Sequence, residues 1–184
     1  NKAGGGNRSP IGVVDKWFYS NPITLPIAEF LAQSKVPENF EQILTRFSSS
    51  ENMDLVISPE GANTFFGNVN ELQEFRSHRY IEIAIRSQSP ILLAAHKGSE
   101  TWSFPLKIPT EVTEVIKGFS NFFSSRLQEF GQINIPVLPH QIELFKVHCS
   151  IFWPNLNPNE LDCEPDLRRE KIKKESLLVK ERLS

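Results

Sequence analysis

The side chains whose chemistry could serve a reaction are few in this chain: four histidines, two cysteines, and one carboxylate set beside a glycine in "DLVISPEGANTFFG", Asp54–Gly67. His78, His96, His140 and His148 stand far apart, without the spacing of metal ligands. His148 lies on the polar side of an alternating run and reads as an ordinary surface histidine. His78 and His140 carry no further cue. His96, just beyond the apolar run Ile91–Ala95, is better placed, although a loop histidine there also serves as a hydrogen-bonding bystander. Cys149 and Cys163 form no C-x-x-C pair, and a large core needs no disulfide, so reduced thiols facing the cytosol are expected. The nucleophile elbow G-x-S-x-G, the phosphate loop G-x-x-x-x-G-K-[ST] and G-x-G-x-x-G are all missing from the sequence.

Glu60 is left. A strand ending in Pro59-Glu60-Gly61 delivers a carboxylate to the carboxyl edge of a sheet, where open α/β folds place ligands. Gly61 lets backbone approach a ligand closely and accepts turn angles that other residues resist. A carboxylate there can accept hydrogen bonds from a hydroxylated substrate or clamp a neighbouring loop. The same three residues are also what a capped turn looks like, with Glu60 merely solvated.

Several elements must hold that turn. "NKAGGGNRSPIG" reads as a flexible start over residues 1–12. Asn21-Pro22 is expected to open a helix through about Gln33. A second helix begins near Pro37, with Phe40, Ile43, Leu44 and Phe47 on one apolar face. Met53–Ile57 suits a strand buried on both faces. A helix near Phe75–Ser87, with Ile81, Ala84 and Ile85 on one side, leads to a second strand at Pro90–Ala95, and that order predicts a parallel pair joined by a crossover. A long helix is expected from Thr110 to Phe130, carrying Val112, Val115, Ile116, Phe119, Phe122, Phe123, Leu127 and Phe130 and stopped by Gly131. Phe145, Val147, Cys149 and Ile151 alternate with Lys146, His148 and Ser150 as in a half-exposed strand. "WPNLNPNE" is a turn-rich connector, and Leu167–Leu183 is a charged helical tail. Residues 13–160 thus form one α/β domain and residues 161–184 a tail.

With 184 residues, 14 of them Phe, the chain has apolar material for a core. A net charge of −2 gives no general pull toward nucleic acid, and none is expected as a partner. Ile91–Ala95 is far short of the roughly 20 apolar residues that span a bilayer. Asn7-Arg8-Ser9 matches the glycosylation pattern, which chance often supplies, and no signal peptide is visible.

Taken together, "ISPEGANTFFGNVNELQEFRSHRYIEIAIRSQSPILLAAHKGSE" resembles the glycerolipid acyltransferase family, which includes the glycerol-3-phosphate and lysophosphatidate acyltransferases. There a buried strand ends in Phe-Pro-Glu-Gly, a phenylalanine-containing segment leads into a helix with an Ile-Ala pair, and a strand beginning Pro-Ile runs toward a glycine. Ser58-Pro59-Glu60-Gly61, Phe75, Ile83-Ala84, Pro90-Ile91 and Gly98 occupy those places here. "WFYSNPITLPIAEFLAQSKVPENFEQILTRFSSS" is similar to the family's paired helices before that strand. The resemblance covers about Val13–Pro109.

The resemblance implies a mixed, largely parallel central sheet flanked by helices, and transfer of a fatty acyl group from a thioester, acyl-CoA or acyl carrier protein, to a glycerolipid hydroxyl. Pro59, Glu60, Gly61 and, more weakly, Asn63 become the floor of the acceptor pocket. No metal or resident cofactor is implied; the thioester is a co-substrate. The family's catalytic H-x-x-x-x-D is missing, because the residues five positions after the histidines are Ile83, Thr101, Phe145 and Trp153. Family spacing puts the pair just upstream of Asn1. As the first residue is not Met, a chain cut within the catalytic domain, and inactive by itself, is expected. Where the family carries Thr-Arg after Glu-Gly, this chain has Ala62-Asn63, and "SKVPEN" lacks the arginine of the preceding block. A neutral acceptor follows, since asparagine offers phosphate no charged fork. The substrate implies peripheral contact with the cytoplasmic side of a membrane. The Thr110–Phe130 helix serves either core packing or that contact, and the basic tail at Arg168, Arg169, Lys171, Lys173 and Lys174 is either solvated or lipid-facing. A lipid- or protein-binding module without turnover is the alternative.

Overall fold

Strand β1 (Ser9–Gly12) runs parallel to β2 (Met53–Val56), with Ser9 opposite Met53 and Gly12 opposite Val56. The computed structural model in which they lie describes residues 8–20, 22, 24–49, 52–98, 100–109, 111–113, 121–137 and 144–184. The fold is mixed α/β, and its described strands form three two-stranded sheets, one parallel and two antiparallel. The chain divides into two compact units. Asn1–Pro59, His78–Ser89 and Pro154–Ile172 make the first; Glu60–Ser77, Pro90–Trp153 and Lys173–Ser184 make the second.

In the first unit, "SPIG" becomes a strand although its composition predicts a loop. The backbone supplies the reason: Ser9 N–H donates to Asn52 O at 2.8 Å and Val13 N–H to Val56 O at 3.0 Å, extending the ladder at both ends. Arg8 adds an ion pair to Asp54. β2 is not buried on both faces as its apolar run predicts. Met53 is buried and Leu55 half-buried, while Asp54 and Val56 face solvent. A short helix, α1 (Trp17–Ser20), precedes α2 (Leu25–Ala32), which starts later than Asn21-Pro22 predicts. Pro26, not Pro22, occupies the first turn, where a missing N–H costs no hydrogen bond.

Helix α3 (Phe40–Ser48) opens with a capping box: Asn39 Oδ1 accepts from Gln42 N–H at 3.0 Å, and Gln42 Oε1 accepts from Asn39 N–H at 2.8 Å. Its apolar face, Phe40, Ile43, Leu44 and Phe47, is half-buried as the spacing predicts. Arg46 on α3 donates to Glu38 and to Ala32 O at 3.2 Å, so a cation meets the negative end of α2. Helix α4 (Arg79–Arg86) is nearly the expected one, buried at Tyr80, Ile81, Ile83, Ala84 and Ile85.

In the second unit, β3 (Ile91–Lys97) pairs antiparallel with β6 (Lys146–Phe152), while β2 pairs with β1, so the ladders of the described residues do not include the parallel crossover pair expected for the two central strands. β4 (Ser103–Lys107) pairs antiparallel with β5 (Gln132–Pro136), a ribbon that short, Pro-bearing segments do not announce. Helix α5 (Asn121–Phe130) buries Ser124 and Leu127 and ends at Gly131, at φ +70°. Residues 111–113 are also helical; the rest of the expected helix, with Val115, Ile116 and Phe119, lies outside the described residues. So does His140.

Helix α6 (Pro165–Leu183) is the charged tail, yet it is not solvated all round. Ile172, Glu175, Ser176 and Val179 fall at helical spacing and are buried. Its residues from Lys173 onward belong to the second unit, where Arg182 Nη1 donates to Ile151 O at 3.3 Å and stacks over the Phe152 ring. Among the described residues no helix is long and apolar enough to cross a membrane.

Candidate functional site

β2 ends at Val56, so Pro59 and Glu60 stand beyond the strand rather than on it. The unit boundary falls between them: half-buried Pro59 closes a segment of the first unit, and Glu60, Gly61 and Asn63 open one of the second. The second-unit residues can be built up from the backbone. Glu60, with φ −66° and ψ −28°, enters a 3-10 turn over Gly61–Phe65. Gly61 sits at φ +57°, the left-handed region that a Cβ disfavours, and this is the reason for glycine there. The stem of Arg76 passes 3.5 Å from where that Cβ would lie.

The turn is held from outside. Phe66, 1% exposed, stacks on Phe130 at 6.5 Å. Asn134 of β5 donates through Nδ2 to Gly67 O at 2.7 Å and to Thr64 O at 3.3 Å, and Gln132 Nε2 reaches Gly67 O at 3.3 Å. Asn63 is buried, and its Nδ2 donates to Glu74 O at 3.2 Å. It therefore shapes the loop from within. The amide oxygens of Asn63 and Asn134 are buried and meet no donor among the described residues.

Glu60 itself is half-buried, and its Oε1 accepts from Gln73 N–H at 2.9 Å. Burial pushes its carboxyl above the ordinary range, against the Gln73 hydrogen bond and the nearby Lys180 cation, which favour the charged form. Lys180 is ion-paired with Glu74. Thus one carboxylate oxygen is committed to the loop, and the other makes no hydrogen bond among the described residues. Such a group can orient a hydroxyl or an amine. It is no strong base.

The remaining candidates are not gathered around it. His96 lies within β3 rather than beyond it, exposed, with its ring against Phe145 at 5.8 Å. His148 is exposed on β6, and His78 is half-buried at the start of α4. Cys149 and Cys163 are both unpaired thiols. Among the described residues no cluster of His, Cys, Asp and Glu could hold a metal. A cavity in the first unit, lined by Ile11, Val13, Tyr19, Ala32, Ile43 and Met53 among others, has about 20 Å³, room for about one water and not for an acyl chain. Pro59 does not line it.

Gln73, Gln132 and Asn134 escape a sequence reading because their partners are 13, 65 and 67 residues away. Only the polar Asn134 between Ile133 and Ile135 is a signal, an amide in an apolar strand. No family model, curated protein or solved structure matches this chain.

Proposed function

We propose that this chain carries the acceptor side of a fatty-acyl transfer domain, which passes an acyl group from acyl-CoA or acyl carrier protein to the hydroxyl of a neutral glycerolipid. The observation that supports it is the held carboxylate: Glu60, half-buried, with one oxygen fixed by Gln73 N–H and the other available, directly before left-handed Gly61. In this reading the available oxygen accepts the hydrogen bond of the acceptor hydroxyl, and Pro59 and Gly61 bound the turn. Asn63 acts through the loop. The reading carries with it a largely parallel central sheet flanked by helices, and work at the cytoplasmic surface of a membrane without crossing it.

A hydroxyl attacks a thioester only when a base takes its proton, and a positioned histidine contributes about 10²–10⁴-fold. No histidine here has an aspartate five positions on, so the chain by itself supplies no such base. That sequence fact also favours the second reading, a lipid-binding module without turnover. Calorimetry with a monoacylglycerol in detergent tests the shared claim: Glu60→Gln, which keeps the oxygen facing Gln73, should bind about 10-fold more weakly, the loss of one charge-assisted hydrogen bond. Equal affinities would refute it. Acyl-CoA consumption by the purified chain, abolished in His96→Ala, would show that the base is present after all. Tighter binding of lysophosphatidate than of monoacylglycerol would overturn the neutral acceptor.

A further inference from the structure

We infer that the outward face of the β3–β6 ribbon is covered by a second copy of this chain, in a two-fold dimer whose axis passes at Cys149. The inference is independent of the acyl-transfer reading. Side chains alternate along a strand, and on β6 the polar row Lys146, His148 and Ser150 shares its face with Phe152, the one buried residue of the strand. The opposite row, Phe145, Val147, Cys149, Ile151 and Trp153, is exposed throughout, from 48% at Phe145 to 61% at Trp153. The ladder places Leu92 beside Ile151 and Ala94 beside Cys149 on that same face, and Leu92 is 67% exposed. His96, opposite Val147, lies on the same face and is exposed, with its ring against Phe145; these described residues include no Lys, Arg, Asp or Glu.

A mostly apolar face of this size stands at the upper end of the largest patches on monomers, about 300–600 Å², and such patches are often functional. The exposed fractions amount to on the order of 600 Å² per copy, so a pair would bury about 1,200 Å², the lower end of stable protein interfaces. The row is also nearly its own mirror. Read from either end it runs aromatic, β-branched aliphatic, small, β-branched aliphatic, aromatic. A two-fold axis across the strands at Cys149 sets Val147 against Ile151 of the second copy and Phe145 against Trp153 of the second copy. Such an isologous contact closes on itself. Twisted sheets packed face to face approach most closely at the centre and splay at the corners, which suits Cys149 and Ala94 at the axis and aromatics at the ends. An anionic bilayer is a poorer occupant, because Lys146 and His148 point to the other side of the ribbon. A net charge of −2 does not keep two copies apart.

Sedimentation of the whole chain at about 100 μM, well above the Kd of a standard interface, should give a dimer. Ile151→Glu should weaken it at least about 100-fold, since it buries an unpaired charge against its copy. Val147→Lys on the same face should act alike, and circular dichroism matching the parent shows that both variants fold. Stacked sheets lie about 10 Å apart, too far for a disulfide, so a short bismaleimide is the linker of choice. It should join two chains through Cys149 in Cys163→Ser and fail in Cys149→Ser. A parent that sediments as a monomer, a dimer unmoved by both variants, or cross-linking through Cys163 alone would overturn the inference. A monomer that floats with anionic vesicles, and loses this with Ile151→Glu, would also overturn it and assign the face to lipid.

Discussion

Replacing Asn134 tests whether β5 holds the Glu60 turn in place. Asn134 is 4% exposed and gives Gly67 O its shortest hydrogen bond, 2.7 Å, with a second to Thr64 O at 3.3 Å. In Asn134→Ala, Gly67 O keeps only Gln132 Nε2 at 3.3 Å, and Thr64 O loses this donor. Each of the two hydrogen bonds lost contributes about 0.5–1.5 kcal/mol, and some is returned because Asn134 Oδ1 has no donor to lose. The net should be about 2 kcal/mol. Asn134→Asp keeps the shape but turns both donors into acceptors and adds a charge, a cost of about 3–5 kcal/mol at neutral pH. For a chain of this size those losses lower Tm by about 5 °C and about 10 °C. The Asp variant should also recover in acid. Burial facing two carbonyls raises the carboxyl of the folded state above that of the unfolded one, so stability is greatest below the unfolded value and falls as pH rises. Urea titrations followed by far-UV circular dichroism at pH 7 and pH 4 give both numbers. An Asp variant within about 1 kcal/mol of the parent at pH 7 would mean that Asn134 does not hold the turn.

Three further outcomes are expected. Glu60 titrates above the ordinary carboxyl range through burial, so the folded state holds its proton longer than the unfolded one, and the charged form costs stability as pH rises through that range. Glu60→Gln should therefore raise Tm relative to the parent more at pH 7 than at pH 4, and the reverse order in a thermal melt refutes it. Gly61→Ala, at φ +57° with the nearest atom 3.5 Å away, meets no clash and should cost about 1–2 kcal/mol of conformational energy by urea titration, Gly61→Asn less. Asn39→Ala removes the capping box of α3 and should cost about 1 kcal/mol, also by urea titration.

Local backbone structure is legible in the sequence, and strand pairing is not. Helices α3 and α4 appear near their predicted places because their apolar residues recur at helical spacing, α6 appears where a charged helical tail is expected, and Gly131 ends α5 as its type predicts. The start of α2 is not legible in the sequence because Pro22 and Pro26 both satisfy the same first-turn rule, and only the fold selects Pro26. β1 was invisible, since "SPIG" has a poor strand composition and owes its form to hydrogen bonds with residues more than 40 positions away. The order strand, loop, helix, strand likewise predicts a crossover, but β3 pairs with β6, the 48 residues between Lys97 and Lys146 being no obstacle to an antiparallel ladder. Residue type marks Glu60 and Gly61 as a turn, whereas the amides that hold it carry no local signal of their partners.

Alternation on β6 shows why a pattern fixes a period without fixing a direction. Phe145, Val147, Cys149 and Ile151 alternate with polar residues as a half-buried strand should, and the ordinary inference sends the apolar row inward. Here Phe152, on the polar row, is the residue that goes in, capped by the Arg182 guanidinium at 5.2 Å. A single aromatic anchor, with Leu93 buried on the same face of β3, thus outweighs four apolar side chains in orienting the ribbon. That choice leaves exposed about as much apolar surface as a small interface needs, and a patch of that size is often an interaction face. The same logic applies to Glu60. A half-buried carboxylate that gives one oxygen to Gln73 and keeps the other unbonded lowers stability at neutral pH, and a hydroxyl donor arriving at that second oxygen would offset the loss.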